Sequence, residues 1–187
     1  MVLDRFLGGR AARPTAAPNA DTETVRRIVG QLEALPPDRA RYLAAFAYTL
    51  TRAAAADLEI SEVESAAIET IVTEHGGLPE AQAVLVAQIA KTQQLLTGGS
   101  DDYSVTRQFN DVSTVEQRLE LLRCCYLVGA ADDTITAEES STLQEIAREL
   151  DLDRGLINAI RNEFAGKLSA IQALLARQGP GPASSRS

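Results

Sequence analysis

Apolar residues recur along the chain at the three-to-four spacing of helices, and nowhere with the strict alternation of a strand. Val25, Ile28, Val29, Leu32 and Leu35 keep the i, i+3, i+4, i+7 rule, and Pro36–Pro37 stop that helix. A second helix opens after Pro37 and runs through Tyr42, Leu43, Phe46 and Leu50 into an alanine run ending near Ala56. A third begins at Ser61, carries Ile68, Ile71 and Val72 on one face, and ends at Gly76–Gly77. Pro79 suits the first turn of a fourth, which continues to about Leu96. TGGSDDYS at 97–104 is the one strong internal break. Beyond it the pattern predicts a short helix around Val105–Asn110, then one launched by Ser113 and Glu116 at capping-box spacing. That helix carries Leu119, Leu122, Tyr126 and Val128. Three more follow: one from Thr136 with Leu143, Ile146, Ala147 and Leu150, one marked by Leu156, Ile157, Ile160 and Phe164, and a last with Leu168, Ile171, Leu174 and Leu175. The fold class is all-α, a helical bundle of about seven to nine helices.

The pattern is also duplicated. AADLEISEVE (Ala55–Glu64) aligns with AADDTITAEE (Ala130–Glu139) at an offset of 75 residues (132 − 57 = 75). Asp57 then matches Asp132, Ile60 matches Ile135, Ser61 matches Thr136 and Glu64 matches Glu139. The register persists through Ile68 with Leu143, Ile71 with Ile146 and Glu74 with Glu149. Each copy is an apolar helix, an acidic turn and an amphipathic helix. Two such units pack most simply with pseudo-twofold symmetry, which would put the acidic turns in comparable, facing positions. The domain boundaries that follow are a flexible N-terminal arm over 1–20, an all-helical domain over 21–177 with repeat units at about 38–96 and 113–176, and a disordered tail over 178–187.

An Ala-Asp-x-x-Ile-Ser/Thr-x-x-Glu turn repeated between helices resembles the TerB-like domain, an all-α family that includes the tellurite-resistance protein TerB and the N-terminal region of a DnaJ-like membrane co-chaperone. The resemblance covers about Arg41 to Phe164. TRQFN at Thr106–Asn110 and EQRLELL at Glu116–Leu122 resemble an uncharacterised bacterial subgroup. It implies a bacterial cytoplasmic protein, linked to metal or stress response, with a divalent cation at the acidic turns. The family's turn usually reads Asp-Gly; here Leu58 and Asp133 stand in the glycine's place, and the acid that follows is kept as Glu59 but replaced by Thr134.

Two readings of the turns follow from their residue types. Asp57, Glu59 and Glu64, with Asp132, Asp133 and Glu139, offer six carboxylates, and calcium, magnesium and manganese favour such oxygen ligands. The spacing also matches the second half of an EF-hand loop. A complete EF-hand is excluded, because the leading ligand positions hold Ala53 and Ala55 in one copy and Val128 and Ala130 in the other. The second reading is metal-free. Ser61–Glu64 and Thr136–Glu139 have capping-box spacing, Asp57 and Asp132 are ordinary turn residues, and Ile60 and Ile135 plug the core beneath.

Charge and composition narrow the partners. The net charge of −8 is a poor footprint for nucleic acid, which is held by clustered Lys and Arg. Aromatic residues make up 4% and Trp is absent, so alanine and aliphatic side chains must build the core by close helix packing. Cys124 and Cys125 are adjacent within LRCCYLVGAA; neighbours on a helix point about 100° apart, so they read as core residues, not as a disulfide. The single histidine, His75, sits at a helix C-terminus without a second ligand. Asp101–Asp102–Tyr103 reads as a helix start or solvated loop. No apolar stretch is long enough for a transmembrane segment. In the arm, Val2, Leu3, Phe6 and Leu7 with Arg5, Arg10 and Arg13 offer weak peripheral membrane contact, against the plainer reading of a loosely docked terminus. No nucleophile with a base, phosphate loop or HExxH appears, so the expectation is a non-enzymatic protein. It either binds a divalent cation or engages an unidentified protein partner as a metal-independent module.

Overall fold

The computed structural model describes residues 20–54, 62–93 and 102–178. They form nine α-helices: α1 (Ala20–Glu33), α2 (Pro37–Ala54), α3 (Glu62–His75), α4 (Glu80–Gln93), α5 (Asp102–Val112), α6 (Val115–Gly129), α7 (Ala137–Glu149), α8 (Arg154–Glu163) and α9 (Ser169–Gln178), with a 3₁₀ turn at Ala165–Lys167. Among the described residues the strand-like pairing is limited to one parallel bridge between Ile135 and Leu168. The all-α fold expected from the periodicity is the fold observed. The short helix expected at Val105–Asn110 extends further, from Asp102 to Val112. The expected arm over 1–20 and tail over 178–187 lie, save for the helix ends at Ala20 and Gln178, outside the described residues.

Helix α2 is the hub. Its buried residues (Tyr42, Leu43, Phe46 and Leu50 with Ala40, Ala45, Ala47 and Ala53) point to several sides, as they must in a helix surrounded by neighbours. The small residues let axes approach, and α1, α4, α5, α6 and α7 all pack on it. Its buried Thr49 hydroxyl donates to the Ala45 carbonyl at 2.9 Å, so that hydroxyl is satisfied. The duplication reappears as packing: α2 meets its counterpart α6, α3 lies on α6, and α7 lies correspondingly on α2. The symmetry lapses afterwards. Helix α4 packs on both α2 and α3, whereas α8 leans on α6 and leaves a cleft beside α7.

Five rings carry the aromatic packing among the described residues. Tyr42 lies 5.0 Å from Phe109 and 5.9 Å from Phe46, and Phe46 meets Phe109 edge-on at 6.1 Å. Phe109 thus plugs the linker helix α5 into the first repeat. In the second repeat, Tyr126 stacks on Phe164 at 5.3 Å. The Arg39 guanidinium sits 4.7 Å above the Tyr42 ring and donates to Gln82 on α4. Burial raises the Tyr42 hydroxyl pKa above its ordinary value. Cys124 and Cys125 are unpaired and fully buried, and desolvation pushes the Cys124 thiol up to about 12. They are core residues without thiolate chemistry.

A buried ionic clasp joins the repeats. Arg52 on α2 donates from Nη1 to Glu149 Oε2 at 2.6 Å and from Nη2 to Oε1 at 3.2 Å. The Thr106 hydroxyl donates to the same Oε2 at 2.8 Å, and Asn110 Nδ2 donates to the Glu149 carbonyl at 2.7 Å. Arg118 donates to the Leu150 and Asn110 carbonyls at 3.4 and 3.3 Å.

The helix starts follow local chemistry, with one shift. The cap of α6 is Thr114 with Gln117, not Ser113 with Glu116: Gln117 N–H donates to Thr114 Oγ1 at 3.3 Å, and Thr114 N–H donates to Gln117 Oε1 at 2.9 Å. Both pairs have the same spacing, so local chemistry does not choose between them. Gly77 takes the left-handed φ of 61° that follows α3, a conformation open to glycine. Phe109→Ala would leave a cavity beside the Tyr42 and Phe46 rings and should lower stability by about 3–5 kcal/mol in urea unfolding, while Val115→Ala at an exposed position should change it by less than about 0.5 kcal/mol.

Candidate functional site

Of the two acidic turns, the second is described throughout. Asp57 and Glu59 lie outside the described residues, and Glu64 falls in the first turn of α3. The facing arrangement expected of the two turns likewise involves residues outside those described.

The second turn begins where α6 runs out. Ala130 N–H donates to the Tyr126 carbonyl at 3.0 Å, and Asp133 N–H donates to the Ala130 carbonyl at 3.0 Å. Thr134 N–H then donates to Asp132 Oδ1 at 3.0 Å, closing an Asx turn. Asp133 has a φ of 71°, the left-handed region that favours glycine. This is the position where the turn of the resembled family usually carries glycine. Aspartate is one of the few side chains that enters that region at modest cost. The turn's backbone therefore keeps the glycine conformation without the glycine.

Ile135 leaves the turn fully buried and seals it against the α8–α9 connection. Its N–H donates to the Lys167 carbonyl at 2.7 Å, and its carbonyl accepts from Ser169 N–H at 2.9 Å. Gln172 on α9 reinforces the joint, donating from Nε2 to the Asp133 and Gly166 carbonyls at 3.2 Å each. Thr136 caps α7: Glu139 N–H donates to its hydroxyl at 3.2 Å, and its own N–H donates to Glu139 Oε2 at 2.7 Å.

Each predicted carboxylate of this turn is thus held by a protein donor. Asp132 holds a backbone N–H, Glu139 holds another, and Asp133 is paired with the Lys167 ammonium. The Lys167 hydrogen bond and charge hold the Asp133 carboxyl below the usual aspartate range. The three carboxylates are not gathered around a common point: among the described residues no group of three or more His, Cys, Asp or Glu side chains is placed to hold a metal ion. Glu139 and the exposed Asp132 retain their second oxygens, which is too few for a tight site within this turn alone.

Lys167 and Gln172 are the partners that sequence reasoning missed. They lie over thirty residues downstream of Asp133, on the 3₁₀ turn and on α9, beyond the stretch over which the residue-by-residue register was read. The usable signal was electrostatic: Lys167 is a lone cation in an apolar stretch, available to an acid elsewhere.

The family model described as Tellurite resistance protein TerB matches residues 42–162, the stretch that holds both turns. No curated protein and no solved structure matches the chain.

The left-handed backbone at residue 133 makes a graded test. Asp133→Gly should leave stability within about 1 kcal/mol of the parent, since backbone relief offsets the loss of an exposed ion pair. Asp133→Val, branched at Cβ, should lower it by about 1–3 kcal/mol in chemical unfolding.

Proposed function

The chain belongs to the TerB family, and from that premise we propose that it is a non-enzymatic, metal-independent helical interaction module whose acidic turns brace the bundle. The observation that supports this most directly is the occupancy of the second turn. Asp132, Asp133 and Glu139 are engaged by Thr134 N–H, the Lys167 ammonium and Thr136 N–H. A cation recruiting all three would have to displace a capping box, an Asx turn and an ion pair, and strip a helix N-terminus of its cap at about 0.5–2 kcal/mol. By register, Ser61 and Glu64 correspond to Thr136 and Glu139.

The surface offers a place to engage a protein partner. On α9, Ile171 packs against the core while Leu174 and Leu175 stand 56% and 60% exposed. With the exposed Ala170, Ala173 and Ala176 beside them, these leucines are the usual material of a contact patch. No helix among the described residues is long and apolar enough to cross a membrane. Cytoplasmic residence and a role in metal or stress response rest on family membership, and the net charge of −8 argues against nucleic acid as the partner.

A calcium, magnesium or manganese ion at the first turn is the second reading. Asp57, Glu59 and Glu64 supply three acids there.

Thermal unfolding of EDTA-stripped protein with calcium, magnesium or manganese decides between the readings. We expect a melting temperature unmoved, to within about 1 °C, in the parent and in Asp132→Asn. A native-state site at a hundredfold excess over its Kd would add about 2.7 kcal/mol, a rise of several degrees. A rise abolished by Asp57→Asn would favour the second reading, and one abolished by Asp132→Asn would overturn the metal-free role of the described turn.

A further inference from the structure

The lapse in symmetry between α4 and α8 has a chemical consequence. Where α8 leans on α6, a cleft of about 340 Å³ opens between α7 and α8. That volume is within the range of small-molecule sites. Its rim carries three arginines, Arg148 from α7 and Arg154 and Arg161 from α8. In a chain with eight more acids than bases, this is a local reversal of sign.

The placement follows from helical spacing. Arg154, Asn158 and Arg161 fall at i, i+4 and i+7, one stripe of α8, and Gln144 and Arg148 fall at i and i+4 on α7. The two stripes face each other across the cleft, so guanidinium and amide groups converge on one space. Tyr126 forms part of its wall, and the Arg161 charge acts on the Tyr126 hydroxyl.

These arginines do no visible structural work. Three other arginines are committed: Arg52 to Glu149, Arg123 to Glu163 at 3.0 Å, and Arg118 to two carbonyls. Arg148, Arg154 and Arg161 are exposed, and among the described residues their side chains have no hydrogen bond and no ion pair. Three like charges around one cleft repel one another, and a compact anion would relieve that repulsion. Guanidinium groups offer the planar paired donors that oxyanions accept, and Gln144 and Asn158 add neutral donors beside them.

We propose that the α7–α8 cleft is a binding site for a small oxyanion of two or more negative charges, a phosphate or a polycarboxylate, held chiefly by Arg148, Arg154 and Arg161. The site is separate from the acidic turn and does not depend on whether the turns bind metal. The volume and the chemistry suit a small molecule, not a nucleic acid strand.

Amide chemical-shift titrations of the full chain with inorganic phosphate, pyrophosphate and citrate, at constant ionic strength, test it. We expect saturable shifts confined to α7, α8 and the Tyr126 region. Arg154→Gln and Arg161→Gln should each weaken binding by about tenfold, and the double variant should abolish it. Arg107→Gln, at an exposed arginine away from the cleft, should bind as the parent does. Tighter binding of pyrophosphate than of citrate assigns a phosphate ligand, and the reverse a polycarboxylate. Because the two arginine side chains make no hydrogen bond or ion pair among the described residues, the variants should melt with the parent. A fall of several degrees in both would show a structural role and overturn the proposal. So would the absence of saturation with all three probes, or equal loss of binding in Arg107→Gln.

Discussion

The bundle depends on one ionic contact between residues 97 positions apart, Arg52 with Glu149. Their side chains are only 11% and 17% exposed, so neither charge keeps its full hydration in the folded molecule. Alone, either would be a liability of several kcal/mol. The first repeat supplies the guanidinium, the second the carboxylate, and the linker helix α5 the Thr106 hydroxyl. Three segments must be assembled before any one of them can tolerate the burial. The clasp thus couples the halves electrostatically, as the α2–α6 contact couples them by packing. It also closes a helix end. The α7 carbonyls at Glu149 and Leu150, which lack intrahelical partners, accept from Asn110 and Arg118.

Seen from α7, the acidic turn does the same work at the opposite end. Thr136 and Glu139 satisfy the N-terminal N–H groups, and Ile135 anchors the entry to the α8–α9 connection. A helix fixed at both ends to distant segments is a rigid strut. The turn's acids are consumed in making it so, which is why a cluster of carboxylates in the sequence becomes a set of separate contacts in three dimensions. Duplication supplied the two hairpins and the α2–α6 seam. Divergence after the hairpins set α8 chiefly against α6, and the arginine-lined cleft is the space this left.

The repetitive features were legible from sequence because they are local. Helix spans followed from the three-to-four spacing of apolar residues, and the Thr136–Glu139 box from two residue types three apart. The register with Asp57–Glu64 identified the family. Ser113 against Thr114 shows the limit of such reasoning, since two caps of equal quality overlapped by one residue. The clasp was illegible for a different cause: Arg52 and Glu149 each look like solvated helix charges until the fold brings α2 and α7 together. Thr106 and Asn110 were visible within TRQFN as a family resemblance, but their task, holding Glu149, was not. The stripe of Arg154, Asn158 and Arg161 can be read off the sequence as a face; that it meets another face depends on tertiary packing. Asp133 lay between these cases, since its place in a glycine position was apparent and its pairing with Lys167 was not.

That the two repeats stand or fall together through Arg52 and Glu149 is measured most directly by a double-mutant cycle. Arg52→Met, Glu149→Met and the double variant would be compared by urea unfolding. Each single variant removes the opposite charge from a largely buried one, so each should lose about 3–5 kcal/mol. The double variant should lose far less than the sum, with a coupling energy of about 2 kcal/mol or more. Losses that add to within about 0.5 kcal/mol would contradict the account, leaving the pair a bystander to a bundle joined by packing alone.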